Sequence, residues 1–423
     1  MRILLITQWF EPEPALKGLL FARALKACGH QVEVLTGFPN YPDGRVYDGY
    51  RIRPVHRETI DGIPVLRVAL YPSHDDSPLR RVLNYGSFAM SAALFGSVVA
   101  RRPDVIYAYH PPLTVGFAAA ALGFVKRVPF VYDIQDLWPE TLVATGMMNG
   151  RLPLRLVDVA ARWVYRRAAH VVVQSPGFAE KLLERGVPVR KVSIIYNWCH
   201  EDGTRVGPDG RIDEQLDAGS KFNVVFAGTM GKAQGLDAVL QAAQLLDGPG
   251  SRAQFVLVGG GIETAALKAR AQRMGLRNVV FLPRLSMAEV GHVYAAGDVL
   301  LVHLRDDPLF EITIPAKTQA YLSAGKPLLV AMRGDAADLV ERSGGGVICE
   351  PEDPQSIADA VTRMEAMGRS ELQAMGERGQ EFYRTELSLE TGTRRFIEIF
   401  EQVTSGRSRS PGGSDPESSD PVR

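Results

Sequence analysis

Short runs of apolar residues alternate along the chain with longer segments in which apolar and polar residues recur at helical spacing. In the first half, apolar runs of strand length lie at 3–7, 31–37, 104–109, 130–134, 170–175 and 192–197. Amphipathic segments separate them, such as 19–28, which ends before Gly29. Strands that alternate with helices predict an α/β architecture with a parallel sheet and crossover helices.

A second series of the same kind follows the polar stretch 199–220. Its apolar runs lie at 221–228, 254–261, 278–283, 298–304 and 326–332, and helices are predicted at 236–246, 355–367, 370–384 and 389–403. In open parallel sheets, ligands bind beyond the carboxyl ends of the strands. The pattern therefore predicts two Rossmann-like, doubly wound domains that face each other across a cleft.

The pattern also sets the expected domain boundaries. We expect a first domain at 1–200, a second at 201–385 and a C-terminal helix at 386–403 that can pack back on the first domain. Residues 404–423 are rich in Ser, Gly, Pro and charge, which predicts a disordered tail. A chain of 423 residues exceeds the usual size of one hydrophobic core, in agreement with two domains.

Composition excludes several classes of protein. The 48 basic side chains balance the 48 acidic ones, so a global footprint for nucleic acid is absent. The three cysteines, Cys28, Cys199 and Cys349, are far apart, which favours a reducing compartment and gives no support to a metal cluster. The first apolar run is too short for a signal peptide, and no eighteen apolar residues are consecutive. We expect a cytoplasmic protein without a spanning helix, and no metal site.

The stretch 306–331 contains the clearest candidate for ligand chemistry. A helix is predicted to begin near 313–315 and to end at Gly325, with Lys317 in its first turn. A cation at that end opposes the helix macrodipole, by up to about 1 kcal/mol. A bound phosphate would remove this cost, since helix N-termini bind anions. The alternative, a solvated lysine at a helix start, remains open.

Two further segments of the second half carry candidate ligand groups. Gly228, Gly231 and Gly235 follow a predicted buried strand, and Lys232 lies between them, as a phosphate-binding loop requires. The spacing is neither Walker A nor GxGxxG, and any strand-to-helix turn of such a fold can carry glycines. At 281–290, Ser286 and Glu289 predict a capping box, and main-chain groups around 283–285 are candidates for contact with a base edge.

In the first half, polar residues stand where strands end. His110 follows one strand before two prolines, and Asp133, Asp136 and Glu140 surround Trp138. Carboxylates and a histidine at strand ends are candidates for proton transfer, although a purely structural His110 is an open alternative. Lys17 and Gly18 lie at the start of the first helix, where we expect them to face the cleft.

These motifs together resemble a known family. The segments "HPPLT", "YDIQDLWPET", "GTMGKAQGL", "FLPRLS" and "IPAKTQAYLSAGKP" occur in the order seen in GT-B glycosyltransferases of family 4, above all the bacterial WbuB-like enzymes of polysaccharide assembly. The resemblance covers the chain to about residue 403. It implies the GT-B fold and a retaining, metal-independent transfer of a sugar from a nucleotide diphosphate sugar, most simply a UDP-sugar, without a further cofactor.

The resemblance also implies roles for individual residues. The first domain would bind the acceptor, with Lys17, Gly18, Asp133 and Glu140 on that side. The second domain would bind the donor through the following residues: Gly228, Gly231, Lys232, Arg284, Leu285, Ile314, Lys317 and Gln319. His110, Asp136 and Glu311 are the catalytic candidates, although a carboxylate such as Glu311 ahead of a helix also stabilises that helix without a ligand.

The chain departs from the family pattern at several positions. Thr229 and Gln234 stand where many relatives carry an arginine and a lysine, and Lys232 is a candidate to replace the missing cation. The usual pair of glutamates is also incomplete. Glu311 and Gln319 keep the seven-residue gap of the pair, but counting back from Gly325 places Ala320 where the second glutamate is expected.

Two arginine-rich segments, 78–104 and 151–170, interleave basic residues with apolar ones. Such segments can lie on anionic lipid, or they can be crossover helices with a basic outer face. The resemblance implies a lipid-linked saccharide acceptor at the inner face of the cytoplasmic membrane. Two alternatives remain, a UDP-N-acetylglucosamine 2-epimerase of the same fold and an inactive scaffold that binds sugar nucleotides. A nicotinamide oxidoreductase is disfavoured because no GxGxxG follows a strand.

Overall fold

The computed structural model describes residues 1–73, 78–144, 148, 150–204, 206–207 and 209–405. Residues 74–77, 145–147, 149, 205 and 208, and the predicted tail beyond Ser405, lie outside the described residues. The described chain forms two sheets, of eight and six strands. Both strand series of the sequence are therefore present as separate sheets.

The first sheet has the strand order β3-β4-β2-β1-β5-β6-β7-β8 and is parallel except that β3 runs against β4. Its strands are β1 (Arg2–Ile6), β2 (Gln31–Gly37), β3 (Val55–Ile60), β4 (Ile63–Val68), β5 (Val105–Tyr109), β6 (Phe130–Ile134), β7 (His170–Val173) and β8 (Val192–Ile194). Its helices are α1 (Leu19–Ala27), α2 (Pro78–Val99), α3 (Thr114–Lys126), α4 (Glu140–Ala144), α5 (Arg151–Arg167) and α6 (Pro176–Glu184).

The second sheet is parallel throughout, in the order β11-β10-β9-β12-β13-β14. Its strands are β9 (Phe222–Thr229), β10 (Ala253–Gly260), β11 (Val279–Leu282), β12 (Val299–His303), β13 (Leu328–Ala331) and β14 (Gly346–Cys349). The helices are α7 (Gly210–Gln215), α8 (Leu236–Leu245), α9 (Thr264–Arg273), α10 (Met287–Ala296), α11 (Pro308–Glu311), α12 (Ala316–Ala324), α13 (Asp335–Ser343), α14 (Pro354–Phe382) and α15 (Leu389–Ser405).

The sequence pattern missed three strands. The hairpin β3–β4 lies at the sheet edge, where β3 alternates half-buried and exposed residues and so lacks a fully apolar run. Strand β14 is only four residues long. The break predicted between helices 355–367 and 370–384 is confirmed, since Gly368 divides α14 with a non-helical backbone (φ 77°, ψ 166°). The capping box at the start of α10 is confirmed, since Ser286 Oγ accepts from the Glu289 amide and Glu289 Oε2 accepts from the Ser286 amide.

Helices cover both faces of the first sheet. On one face, α2, α3, α5 and α6 pack around residues such as Phe88, Leu122, Val164 and Phe178. On the other face, α1 and α15 enclose a second core in which the Phe21 and Phe396 rings are 5.1 Å apart. The last helix of the chain thus lies on the first domain, against the helix that follows β1.

Helix α2 is one continuous helix where the sequence shows an interrupted apolar run. By length and composition alone, its segment Arg80–Val99 is apolar enough to cross a membrane, the single helix of this kind in the described part of the chain. Within the fold, however, α2 contacts β2, β4 and α3 and contributes Phe88 and Ala92 to the core. It is a crossover helix of the first domain, and its opposite side is exposed.

The two domains touch at the carboxyl ends of their sheets. Ser175 Oγ donates a hydrogen bond to the Ile312 carbonyl oxygen at 2.6 Å, and the Gly177 amide donates to Asp335 Oδ2 at 2.8 Å. A Cβ on Gly177 would lie 2.3 Å from the Ile312 side chain, so the small residue permits this close approach. The cleft expected from the strand pattern is therefore bounded on one side by direct contacts between α6 and the second domain.

Candidate active site

The start of α12 lies beside the carboxyl end of β9. The helix follows Pro315 and ends at Gly325, which adopts the left-handed conformation (φ 71°), as the sequence predicts. Tyr321, one turn along the helix, accepts a hydrogen bond from the Ala227 amide at 2.8 Å and donates to the Ala227 carbonyl oxygen at 3.2 Å. These two bonds anchor α12 to the last residues of β9, directly before Gly228.

Lys317 lies in the first turn of α12, and its ammonium group is enclosed. The Nζ atom lies 3.5 Å from the centroid of the Phe226 ring and has no hydrogen-bond partner among residues 1–73, 78–144, 148, 150–204, 206–207 and 209–405. The other atoms of Lys317 are partly exposed to solvent. Burial lowers the pKa of Lys317 to about 7. A desolvated ammonium without a partner costs free energy, and an anionic ligand would compensate that cost.

The loop after β9 passes close to this ammonium group. Gly228 has a φ of 148°, and a Cβ there would lie 3.3 Å from Lys317 Nζ. A Cβ on Gly259 would lie 2.0 Å from the Gly228 carbonyl oxygen, so β10 also requires a glycine at this point. Backbone at this edge can thus approach a ligand closely, as a phosphate site requires.

Two polar contacts hold the remainder of the glycine loop. His303, buried at the end of β12, has its Nδ1 2.7 Å from the Gln234 carbonyl oxygen and accepts at Nε2 from the Glu352 amide, so the ring proton lies on Nδ1. The Gly231 amide donates to Gln234 Oε1 at 3.0 Å. Lys232 is exposed at the rim of a cavity of about 370 Å³ that Arg305 and Glu352 also line.

The other predicted donor residues occupy different environments. Arg284 is exposed, Leu285 packs against the core of the second domain, and Ile314 is buried. Glu311 ends α11 and is exposed.

Gln319 is buried, and in the amide orientation that satisfies its hydrogen bonds its nitrogen donates to the Pro315 carbonyl oxygen at 2.7 Å. Because this amide is used within the helix start, the structure does not support the predicted donor contact of Gln319.

In the first domain, His110 follows β5 and is buried. Its ring lies edge-on to Tyr132 and Trp138, with centroids 5.8 and 5.9 Å away, and Nδ1 lacks a hydrogen-bond partner in the described part of the chain. Burial lowers the pKa of His110 to about 3. The imidazole is therefore neutral at physiological pH, which suits a hydrogen-bonding role better than the predicted transfer of a proton.

Asp136 lies two residues beyond β6 and is half-buried. Burial raises the pKa of Asp136 to about 6. A carboxylate with a pKa closer to neutrality accepts a proton from a hydroxyl more readily than an ordinary aspartate does. The raised pKa of Asp136 suits general base catalysis better than the lowered pKa of His110 does.

Lys17 and Asp133 form a buried ion pair, and the expectation that Lys17 faces the cleft is wrong. Lys17 Nζ lies 2.7 Å from Asp133 Oδ2, and both side chains are fully buried. Asp133 also accepts hydrogen bonds from the Tyr107 hydroxyl at 2.6 Å and from Gln135 Nε2 at 2.7 Å. The pair is enclosed because α15 covers it, and neither group is accessible to an acceptor.

Gly18 and Glu140 likewise have structural partners. Gly18 is the buried N-cap residue of α1. Glu140, in the first turn of α4, forms an ion pair through both carboxylate oxygens with Arg185. Arg185 also donates to the Trp138 carbonyl oxygen at 2.9 Å. These contacts fix the loop around Trp138 and give no direct support to acceptor binding by Gly18 or Glu140.

Sequence reasoning missed a network of side-chain amides at the ends of β6 and β7. Asn197 Nδ2 donates to Gln135 Oε1 at 2.8 Å and to Gln174 Oε1 at 2.7 Å. Gln174 Nε2 donates to the Gln135 carbonyl oxygen at 2.7 Å. Gln135 directly follows the apolar run 130–134, and Gln174 and Asn197 lie within the last two positions of the runs 170–175 and 192–197, which is the signal that could have identified them. The sequence also missed the roles of Tyr321 and His303. Tyr321 lies within a predicted helix and His303 at the end of a predicted strand, and neither position indicates the distant residue to which the side chain hydrogen-bonds.

Comparisons with known proteins cover both domains. Residues 19–198 match the family described as a glycosyl transferase 4-like domain, and residues 221–366 match the family of glycosyl transferases group 1. The polar stretch 199–220, which joins the two sheets, lies between the two matches. Each domain of the structure therefore has its own family counterpart.

Whole-chain relatives give the same picture. The chain is 29% identical to the putative colanic acid biosynthesis glycosyl transferase WcaI of Escherichia coli (strain K12), over 80% of this chain and 84% of that protein. It is 27% identical to the probable glycosyltransferase WbjE of Pseudomonas aeruginosa, over 64% and 69%. The crystal structure of Anabaena Alr3699/HepE in complex with UDP-glucose has a TM-score of 0.68 at 19% identity and covers 95% of this chain and 100% of that one. At this identity the likeness shows a shared fold.

Proposed function

Because the chain belongs to the GT-B glycosyltransferases, with a glycosyl transferase 4-like domain followed by a group 1 domain, we propose that it moves a sugar from a UDP-sugar to a lipid-linked saccharide. The proposed transfer retains the anomeric configuration and needs no metal ion. A relative named for colanic acid biosynthesis, and a structural neighbour bound to UDP-glucose, support this assignment. N-acetylated amino sugars and deoxy sugars are included among the proposed donors.

One observation carries the proposal for the donor. The Lys317 ammonium is buried against Phe226, has no hydrogen-bond partner in the described chain, and lies at a helix N-terminus beside Gly228. Main-chain amides at a helix start and a cation are the two elements that bind a diphosphate. Bound there, the diphosphate would compensate the cost of desolvating Lys317 and would itself be partly neutralised.

The same elements explain how the reaction would proceed. The bond between the anomeric carbon and the diphosphate oxygen breaks, the acceptor oxygen bonds to that carbon on the same face, and the acceptor proton passes to the leaving diphosphate or to Asp136. Negative charge grows on the diphosphate as it leaves, so Lys317 and the main-chain amides at the start of α12 stabilise the transition state. Neutral His110 would orient the transferred sugar by hydrogen bonding.

The proposed setting is the cytoplasm, with peripheral contact at the inner face of the cytoplasmic membrane. A lipid-linked acceptor remains in the bilayer, so the enzyme must work at its surface. The proposal needs no nucleic acid partner, in keeping with balanced positive and negative charges over the whole chain.

A scaffold that binds sugar nucleotides without turnover is the second candidate. It is favoured by Ala320, which stands where a glutamate is expected, and by Gln319, whose amide is used within the start of α12. Neither residue supplies a carboxylate to the ribose or to the transferred sugar. The scaffold predicts donor binding but no product when membrane extract supplies acceptors.

Calorimetry with UDP, with several UDP-sugars and with ADP- and GDP-sugars tests the donor assignment. We expect UDP-sugars to bind most tightly and Lys317→Met to weaken binding by more than about tenfold, because charge-assisted phosphate contacts are strong. Lys268→Met is the matched control, since Lys268 is an exposed lysine of the same domain. Unchanged UDP affinity in Lys317→Met would refute the site.

Product analysis then separates the remaining functions. Incubation of the protein with the best-binding labelled UDP-sugar and membrane extract should move label into a lipid-soluble product. Label that stays in an interconverted free nucleotide sugar would identify the 2-epimerase reaction. Binding without any product would identify the scaffold.

A further inference from the structure

Helix α5 has two apolar faces, and only one of them is packed. Ala161, Val164 and Tyr165 on its inner side are buried. A second apolar stripe, spaced by four, three and four residues, consists of Leu152, Leu156, Val159 and Trp163. These four positions fall within about 60° of one another around a helix. Their exposure runs from 36% for Trp163 to 69% for Leu152, although a surface helix of a soluble domain requires only one apolar face.

Helix α2 repeats this arrangement. Asn84, Phe88 and Ala92 face the interior. The outer side carries Leu83, Met90, Leu94 and Val98, whose exposure runs from 48% for Leu83 to 82% for Val98. Because Asn84 hydrogen-bonds with Gln8 and the inner side joins the core, α2 cannot leave the domain to cross a bilayer without breaking these contacts. Its outer stripe is suited to lying on a surface.

Helix α3 joins the two stripes into one surface. It contacts both α2 and α5, and its Phe117 ring stacks on Trp163 at 5.4 Å between centroids. At its end, Phe124 and Val125 are exposed. We call the outer sides of α2, α3 and α5 the helical face. Together with Val82 of α2, it carries eleven of the eighteen large hydrophobic residues exposed in the described chain, whereas the second domain exposes two, Leu245 and Ile262.

The charges that border the helical face are mainly positive. Exposed arginines lie at both ends and along one side of the stripes: Arg101, Arg102, Arg151, Arg155, Arg166 and Arg167. The acidic residue within α5, Asp158, is half-buried and paired with Arg162 at 2.8 Å. A basic residue near an anionic bilayer contributes about 1 kcal/mol of attraction, which adds to the insertion of apolar side chains.

The helical face also lies next to the candidate acceptor side of the cleft. Leu83 belongs to the outer stripe, whereas its neighbour Asn84 is buried and accepts a hydrogen bond from Gln8 Nε2 at 2.5 Å. Gln8 lies two residues beyond β1, so the start of α2 connects the exposed apolar surface with the carboxyl edge of the first sheet. An acceptor anchored in a bilayer under this face would have its saccharide near the cleft.

We propose that the helical face of the first domain docks on an anionic lipid bilayer, with its apolar stripes inserted among the acyl chains near the headgroups and its arginines against lipid phosphates. The inference rests on the proposed function for the identity of the acceptor, but its physical basis is the exposed surface itself. Since α2, α3 and α5 pack side by side on the sheet, both stripes and the exposed end of α3 can meet a flat surface together.

Co-sedimentation of the full chain with vesicles tests the proposal. We expect binding to phosphatidylcholine vesicles that contain about one third phosphatidylglycerol, weaker binding to pure phosphatidylcholine, and a loss of affinity at high salt. The double variant Leu94→Glu/Leu156→Glu should bind at least about tenfold more weakly, because it places two charges in the apolar stripes. The matched control, Leu245→Glu/Ile262→Glu, changes two equally exposed residues of the second domain and should bind as the wild type does.

The outcomes distinguish the occupants of this face. Circular dichroism and UDP affinity should be unchanged in both double variants, which shows that they fold and that the donor site is intact. If the wild type ignores anionic vesicles, or if the Leu94/Leu156 variant binds them as tightly, the proposal is overturned. A wild-type dimer that dissociates in this variant, without vesicle binding, would assign the face to a second copy. Failure of the proposed function would instead be seen as absent UDP-sugar binding with vesicle binding retained.

Discussion

The two domains each bury a lysine ammonium at the start of a helix, and they do so in opposite ways. In the first domain, Lys17 precedes α1 and lies within 5.3 Å of the centroid of the Trp198 ring and 5.1 Å of that of Phe396. In the second, Lys317 opens α12 and lies over Phe226. Burial lowers the pKa of both lysines. The difference is that Lys17 has Asp133 as its counter-ion, whereas Lys317 has no hydrogen-bond partner in the described residues.

This difference separates a structural charge from a binding charge. The desolvation of Lys17 is compensated within the folded protein, because Asp133 accepts from three donors including Lys17. In the described residues the Lys317 ammonium has the face of the Phe226 ring but no hydrogen-bond partner, so the fold carries a desolvation cost that binding of an anion relieves. A perturbed pKa alone would not distinguish the two lysines, since both are lowered; the missing partner does.

Breaking the structural pair should produce the largest effect. Lys17→Met leaves the Asp133 carboxylate buried without its counter-ion, and we expect a loss of about 3–5 kcal/mol in the free energy of unfolding. Urea denaturation of the full chain, followed by circular dichroism, measures this loss.

The double variant Lys17→Met/Asp133→Asn is the control. It removes both charges and keeps an amide oxygen for Tyr107 or Gln135, so it should recover at least about half of the lost stability. A single variant within about 1 kcal/mol of the wild type would show that the pair is not structural, and the contrast with Lys317 would fail.

The binding lysine should respond in the opposite direction. Lys317→Met replaces a desolvated amine by an apolar side chain of similar length, and we expect the ligand-free protein to gain on the order of 1–3 kcal/mol at pH 7. The folded pKa of about 7 lies below the unfolded value, so the unfolded state binds more protons between pH 7 and 10.5. The cost of burying the Lys317 ammonium is therefore full below pH 7 and decreases as the pH rises toward 10.5. The stability gained by Lys317→Met should decrease over the same range.

Lys326→Met provides the comparison for this variant. Lys326 is also largely buried with a lowered pKa, but it donates to the carbonyl oxygens of Ala295 and Gly297 at 2.6 and 2.8 Å. Its removal should destabilise the protein. If Lys317→Met instead lowers the free energy of unfolding by as much as Lys326→Met, Lys317 is a structural residue.

The sequence predicted the position of Lys317 at the start of a helix because the signals for that helix are local. Pro315 and Gly325 mark the ends of α12, and the conflict between Lys317 and the helix dipole lies within one turn. The alternation of apolar runs and helices likewise predicted both sheets, since each strand of a parallel sheet is buried on both faces. Edge strand β3 was missed because it is only half-buried.

The role of Lys17 could not be predicted in the same way. Its partner Asp133 is 116 residues away, and the pair is enclosed by α15, which arrives from the far end of the chain. Before that packing is known, Lys17 and Asp133 look like two polar residues at the ends of secondary structure elements, as Asp136 does. Whether such a residue faces the cleft depends on contacts between distant segments, which periodicity does not contain.

Donor binding should be coupled to proton uptake at Lys317 in a way that Lys17 cannot reproduce. UDP-glucose has no group that titrates near neutrality. If the bound diphosphate raises the pKa of Lys317, then Lys317 takes up about half a proton on binding at pH 7. Affinity should fall by up to about tenfold per pH unit above 7. Calorimetry in two buffers of different ionisation enthalpy measures the uptake, and the pH dependence should be absent from Lys317→Met. No dependence in the wild type would contradict the placement of the diphosphate on this ammonium.

His110 extends the comparison to a buried group that is neutral and also lacks a partner, at Nδ1, in the described chain. His110→Asn removes a ring that can hydrogen-bond to the transferred sugar, and we expect kcat to fall about tenfold while the affinity for UDP-glucose stays within about twofold. Since burial lowers the pKa of His110 to about 3, its loss should not move an acidic limb of the pH–rate profile near pH 6.

Asp136→Asn is the contrasting variant, because the pKa of Asp136 is raised to about 6 and that limb should disappear with it. A limb that shifts in His110→Asn would show that the imidazole titrates during turnover, and full activity would make His110 structural, like Lys17.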